Sequence, residues 1–296
     1  MAIPGFTEHR VATNGIELSV HRAGSGPSVV LLHGFPQSHL CWSAIAPDLA
    51  RDFDVIVPDL RGYGASDAPD NDPENRAYSK REMAKDIAGL LDAFGIVRAH
   101  IVGHDRGARV SYRFALDHPD RIEKLGILEI VPAGDWWRNW NADTALAAWH
   151  WTFLAQRAPL PEEMILGSGT GFVDWCLATW TAAKDHSAFP PEALAAYRTQ
   201  GTDPVRVAAM CNDYRAGATF DRALDTADRE SGRTIAAPML FLWAETGFPS
   251  RTGDPLGLWR PWAPDLRGAS ISGTGHFMPE EVPGKILAEL RPFLVA

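Results

Sequence analysis

Gly103-His104-Asp105-Arg106-Gly107 is the stretch on which the reading of this chain turns. It follows the short apolar run His100-Ile101-Val102. It precedes Ala108 to Asp117, where apolar residues recur at three- and four-residue spacing. The five residues therefore form a strand-to-helix turn. In the pattern G-x-nucleophile-x-G, such a turn strains its central residue and lifts that side chain to the carboxyl edge of a sheet. Flanking glycines suit it because the tight turn leaves no room for Cβ atoms. Asp is also a favoured helix N-cap, but the glycine bracket and the preceding strand favour a nucleophile at Asp105. A carboxylate attacks an sp³ carbon by displacement and forms an alkyl-enzyme ester, whereas an activated serine forms an acyl-enzyme. The residue type thus selects alkyl halides or epoxides over ordinary esters and amides. Hydrolysis of that ester then needs a general base and an oxyanion hole.

Candidates for both lie at either side of the turn. Gly273-Thr274-Gly275-His276-Phe277 follows a strand-like segment and precedes the last helical one. His276 there completes the chain order nucleophile, acid, histidine. Near the N-terminus, His33-Gly34-Phe35-Pro36 follows a buried run and matches an oxyanion loop. The backbone N–H groups of Phe35 and Arg106 are its two expected donors, with the His33 ring bracing the loop. For the acid behind His276 there are two candidates, Glu129 at the end of one strand and Glu245 after another. Glu129 is favoured: the second location normally carries an Asp two residues further on, where this chain has Gly247.

Around these motifs the texture is that of an α/β protein. Val11 and Ile16–Val20 flank an Asn14-Gly15 turn and predict a hairpin. Ser28–His33, Asp54–Pro58, His100–Gly103 and Leu125–Glu129 are short unalternated apolar runs, as for strands covered on both faces. Helical patterns, including Arg81 to Phe94, fall between them, so the expectation is a doubly wound, mostly parallel sheet. From about residue 133 to 232 the buried-strand runs stop, and seven of the 11 tryptophans gather there. Strand texture resumes at Pro238–Trp243 and Ala269–Ser272, before a helix from Pro279 to Leu294. The predicted organisation is a core of residues 1–132 and 233–296 with a helical cap of 133–232, and a substrate pocket between them.

A net charge of −9 argues against a nucleic-acid partner and requires a local positive site for any anionic substrate. The N-terminus has no signal-peptide pattern, and no apolar stretch approaches the roughly 20 residues of a membrane span. Cys41, Cys176 and Cys211 are widely spaced, as for free thiols in a reducing cytoplasm.

The motifs Leu31–Gln37, Asp59–Asp67 and Gly103–Arg109 resemble those of the α/β-hydrolase superfamily, shared with epoxide hydrolases and haloalkane dehalogenases. With His150-Trp151, Phe153–Gln156 and Asp213–Ala216, the chain most closely resembles the fluoroacetate (haloacetate) dehalogenases. The resemblance implies an α/β-hydrolase fold with an inserted helical cap and hydrolysis of short 2-haloacids. It also implies no metal or organic cofactor and a cytoplasmic homodimer. Arg106 and Arg109 would clamp the substrate carboxylate, since residues three apart at a helix start can face one side. His150, Trp151 and Tyr214 would receive the halide, and Trp180 would be a further pocket aromatic. One position departs from the pattern: fluoroacetate dehalogenases carry Asp where this chain has Glu129, although one group of haloalkane dehalogenases uses Glu there. Epoxide hydrolysis, which typically needs two cap tyrosines, has only Tyr197 and Tyr214 as candidates.

Overall fold

A computed structural model describes residues 2–296. An eight-stranded sheet forms its centre, in the order β1-β2-β4-β3-β5-β6-β7-β8. The strands are β1 (Thr7–Thr13), β2 (Ile16–Gly24), β3 (Ser28–Leu32), β4 (Asp54–Pro58), β5 (Ala99–His104), β6 (Ile122–Leu128), β7 (Met239–Ala244) and β8 (Leu266–Ile271). β1 and β2 form an antiparallel hairpin with Thr13 opposite Ile16. Its turn residues Asn14 and Gly15 both have positive φ, the backbone that matches the strands' right-handed twist. β2 pairs antiparallel with β4, and every later pairing is parallel.

The unalternated runs behave as strands covered on both faces: β4 and β5 are buried at every position. β8 is an edge strand buried only at its last residue, and it starts three residues earlier than its apolar texture predicts. The final helical segment is broken into Met278–Glu281 and Pro283–Val295. Pro283 accounts for the break, because a proline pushes the preceding residue, Val282, out of the helical region.

Between β6 and β7 the chain runs through helices from Ala133–Arg138 to Phe220–Glu230, with no strand among the described residues. This insertion packs against the core through Lys80, Arg106 and Arg113. Buried ion pairs fasten it there. Arg106 and Lys80 of the core both meet Asp213, and Arg113 meets Asp225 and Asp228. Buried pairs add little net stability, but breaking one strands a charge at about 3–5 kcal/mol. They therefore hold the insertion in one position against the core. Among the described residues no helix is long and apolar enough to cross a membrane, and the three cysteines are buried free thiols.

Candidate active site

β5 delivers Asp105 to the carboxyl edge of the sheet with φ +48°. A left-handed backbone costs a non-glycine residue about 1–3 kcal/mol and recurs at active sites. The glycine bracket follows from close approach: a Cβ on Gly103 would lie 2.5 Å from the Ala108 nitrogen, and one on Gly107 would lie 2.5 Å from the Leu32 carbonyl carbon. Asp105 Oδ1 accepts the Phe35 backbone N–H at 2.9 Å. The Arg106 N–H lies in the first turn of the helix Asp105–Asp117, where no intrahelical acceptor exists. The His33 ring braces the same loop, accepting from the Leu60 N–H at Nε2 and lying 3.0 Å from the Gly34 carbonyl at Nδ1.

Burial opposes ionisation of Asp105, but His276, His104, Arg106 and the Phe35 N–H outweigh it and hold the carboxyl below its ordinary value. At neutral pH both imidazoles are uncharged, because burial lowers the pKa of each.

The other oxygen, Asp105 Oδ2, faces His276 Nε2 at 3.7 Å. His276 is buried and desolvation pushes its pKa down to about 3, so its ring is neutral at pH 7. Its Nδ1 lies 4.0 Å from Glu129 Oε1 and has no hydrogen-bond partner in the protein. Glu129, itself at φ +61°, accepts the Ala244 N–H at 2.7 Å and the Phe248 N–H at 3.0 Å. Burial nonetheless raises its pKa to about 8. Glu245 is exposed, whereas Glu129 is buried and faces His276.

Gly247 explains how the longer acid fits. A Cβ there would lie 2.7 Å from Glu129 Cδ and 2.9 Å from Oε2, and closer still to Oε1. The Glu129 carboxyl thus fills the space where a side chain at 247 would begin. The loop carrying His276 is held on several sides. His104 Nε2 lies 2.7 Å from the His276 carbonyl. Glu281 accepts the N–H groups of Gly275, Phe277 and, from the insertion, Ala182.

Asp105, Arg109, Glu129, His150, Trp151 and His276 line one cavity, together with Trp136 and Phe248. Its volume is about 20 Å³, room for the centre of roughly one water molecule. Four buried polar atoms on lining residues lack a partner in the protein: Arg109 Nε, Trp136 Nε1, His150 Nδ1 and His276 Nδ1. Buried polar atoms are rarely left unsatisfied, so such a cluster marks a place for a polar ligand. The Arg109 guanidinium sits 4.5 Å over the Trp151 ring and makes one long contact, 3.3 Å, to the Val131 carbonyl. Burial lowers its pKa, as for a cation without an anionic partner.

Four expected site residues, Phe35, Arg106, Tyr214 and Trp180, do not line the cavity. The Arg106 guanidinium turns to Asp213, donating from Nε at 2.9 Å and from Nη2 at 2.5 Å, with a further bond to the Asp213 carbonyl. The expected two-arginine clamp is therefore corrected to one arginine facing the cavity, with Arg106 one layer behind. Tyr214 stands with it, its ring 4.2 Å beneath Arg106 and 5.7 Å from the His150 ring. Trp180 packs 4.3 Å from His150, outside the cavity lining. Sequence reasoning missed Trp136, Phe248 and Glu281. For Trp136 the only signal was the tryptophan-rich composition of the insertion. Glu281 had its place five residues after His276 but no pattern of its own.

Comparison with known proteins shows the family. Residues 27–282 match the model of the alpha/beta hydrolase fold family. A fluoroacetate dehalogenase from Burkholderia sp is 39% identical over 290 residues, covering 98% of this chain and 94% of that protein. A soluble epoxide hydrolase from Corynebacterium sp. (strain C12) is 31% identical over 282 residues, covering 94% of this chain and 93% of that one. A solved structure from Nostoc sp PCC 7120 superposes with a TM-score of 0.95 at 41% identity, covering 99% of each chain. With a strained aspartate on the elbow, a neutral histidine facing it and a family match over most of its length, the chain belongs to the α/β-hydrolase family and is a hydrolase.

Proposed function

We propose that this hydrolase cleaves the carbon–halogen bond of short 2-haloacids such as fluoroacetate or chloroacetate. The observation that carries the reading is the set of unpartnered buried polar atoms around a very small cavity, one of them on a guanidinium without a carboxylate. A substrate carboxylate would pair Arg109, and the leaving halide would take hydrogen bonds from His150 and the tryptophans. Neutral haloalkanes would leave Arg109 desolvated and unpaired.

The two oxygens of Asp105 have distinct roles. Oδ1 is held by the Phe35 N–H, so Oδ2 is the free nucleophile. Its lone pair forms the new C–O bond while the carbon–halogen pair departs with the halide, leaving an ester. His276 Nε2 then takes a proton from water as the water oxygen attacks the Asp105 carbonyl carbon. Negative charge develops on Oδ1, where the Phe35 and Arg106 N–H groups receive it. Collapse breaks the ester bond to Oδ2, and the alkoxide regains the proton from His276 to leave as a 2-hydroxy acid. Glu129 steadies the cation that His276 briefly becomes.

Epoxide hydrolysis is the competing reading, favoured by the epoxide hydrolase relative. It needs an acid over the epoxide oxygen, and Tyr197 is hydrogen-bonded to Glu280 instead. Incubation with fluoroacetate, chloroacetate and styrene oxide, following halide and glycolate, discriminates the two. Halide release is expected. Diol formation with no halide from either acid would refute the dehalogenase reading. In heavy-oxygen water, single turnover should place the label in Asp105; label found only in glycolate would exclude the ester.

A further inference from the structure

A second cavity, of about 330 Å³, lies beside the first. It reaches the surface, where Leu146 and Trp175 on its rim are exposed. Phe248 and His276 line both cavities. The Phe248 ring packs edge-on to His276 at 5.2 Å and to Trp180 at 5.7 Å. One phenyl ring and the catalytic imidazole are thus the partition between the two spaces.

The outer cavity carries two cations, Lys184 and Arg251, and no acidic side chain lines it. Neither cation has an ion-pair partner among the described residues; Lys184 Nζ donates only to the Thr179 carbonyl. Glu281 lies behind the wall, with its oxygens engaged by three backbone N–H groups. On a chain of net charge −9, this is a local positive mouth in a field that otherwise repels anions. Clefts lined by one sign of charge concentrate counter-ions and raise association rates by about 10- to 1,000-fold.

We propose that the outer cavity is the access port of the active site, and that Lys184 and Arg251 draw small monocarboxylate anions through it past the Phe248 ring. The inference rests on the reading of the substrate as a short haloacid and adds the residues that select anions before they reach Arg109. Neither cation touches the reacting atoms, so they act on encounter and not on chemistry.

The test compares the full chain with Lys184→Glu/Arg251→Glu and with the milder Lys184→Gln/Arg251→Gln. Steady-state chloroacetate turnover is measured alongside acetate association, followed by stopped-flow tryptophan fluorescence. At low ionic strength the charge-reversed protein should lose about five- to tenfold in kcat/KM with kcat unchanged, and acetate should associate correspondingly more slowly. The neutral pair should fall between, and the differences should shrink at about 0.5 M salt, where screening is nearly complete within a few ångströms. If chloroacetate is turned over but both rates ignore the substitutions, the port is refuted. If no protein turns over chloroacetate yet acetate association still follows the charge, the substrate reading fails and the port stands.

Discussion

Gly247→Ala tests the acid of the site without touching any reacting group. The added Cβ would lie 2.7 Å from Glu129 Cδ and 2.9 Å from Oε2, where ordinary contact begins at 3.4 Å. Oε1, the oxygen nearest His276, is more crowded still, so the carboxyl must retreat by roughly an ångström from an already long 4.0 Å. Its bonds from the Ala244 and Phe248 N–H groups weaken together. Overpacking of this kind costs about 1–3 kcal/mol of stability, or roughly 2–4 °C in melting temperature per kcal/mol at this size. A misplacement of about 1 Å costs around 100-fold in rate.

The loss should fall on one step. Displacement of halide by Asp105 needs no base, whereas ester hydrolysis needs His276 held by Glu129. Rapid mixing with chloroacetate should therefore show a burst of about one chloride per site, followed by turnover slowed about 100-fold. Intact-protein mass should show a carboxymethyl group retained on Asp105. Glu129→Asp in the same background shortens the acid by one methylene, clears the new Cβ and should recover part of the rate. Wild-type turnover by Gly247→Ala, with no accumulated ester, would refute the steric coupling and with it the assignment of Glu129.

Two further outcomes follow from the same geometry. Arg109→Leu should abolish haloacid turnover or raise KM at least 100-fold, since a buried pair that loses one partner costs about 3–5 kcal/mol; unchanged chloride-release kinetics would remove the carboxylate site. The raised carboxyl of Glu129, at about 8, gives two pH signatures. First, kcat should climb as pH rises through about 8 and the partner of His276 ionises, a limb that Glu129→Gln should erase. Second, between the ordinary value of 4.5 and about 8 the native state binds more protons at Glu129 than the unfolded state, so this group lowers stability as pH rises. His276, lowered from 6.5 to about 3, has the opposite sign and adds stability as pH rises across that lower window. Urea midpoints of wild type and Glu129→Gln at pH 5 and pH 8 should diverge, the variant gaining at the higher pH; parallel midpoints would contradict the buried acid.

Which parts of this were legible in the sequence follows the range of the forces involved. The elbow at 103–107, the Gly273–Phe277 loop and the hairpin at Asn14-Gly15 are set by local backbone sterics, so a few consecutive residues specify them. The central strands could be read because β4 and β5 are covered on both faces and carry their own apolar runs, whereas the edge strand β8 is buried only at its last residue. The orientation of Arg106 is different. Helix spacing places it beside Arg109, but its guanidinium is claimed by Asp213, 107 residues away, which also meets Lys80. No local pattern tells a charged pair at a helix start whether a distant carboxylate will take one member. The choice between acids had the same character. The glycine at 247 read as an acid lost from its usual location, whereas in space it is the vacancy that the Glu129 carboxyl occupies from the neighbouring strand. That relation makes the departure at Glu129 intelligible: the longer acid just after β6 fits here because position 247 carries no side chain, so a substitution at either position is felt at the other.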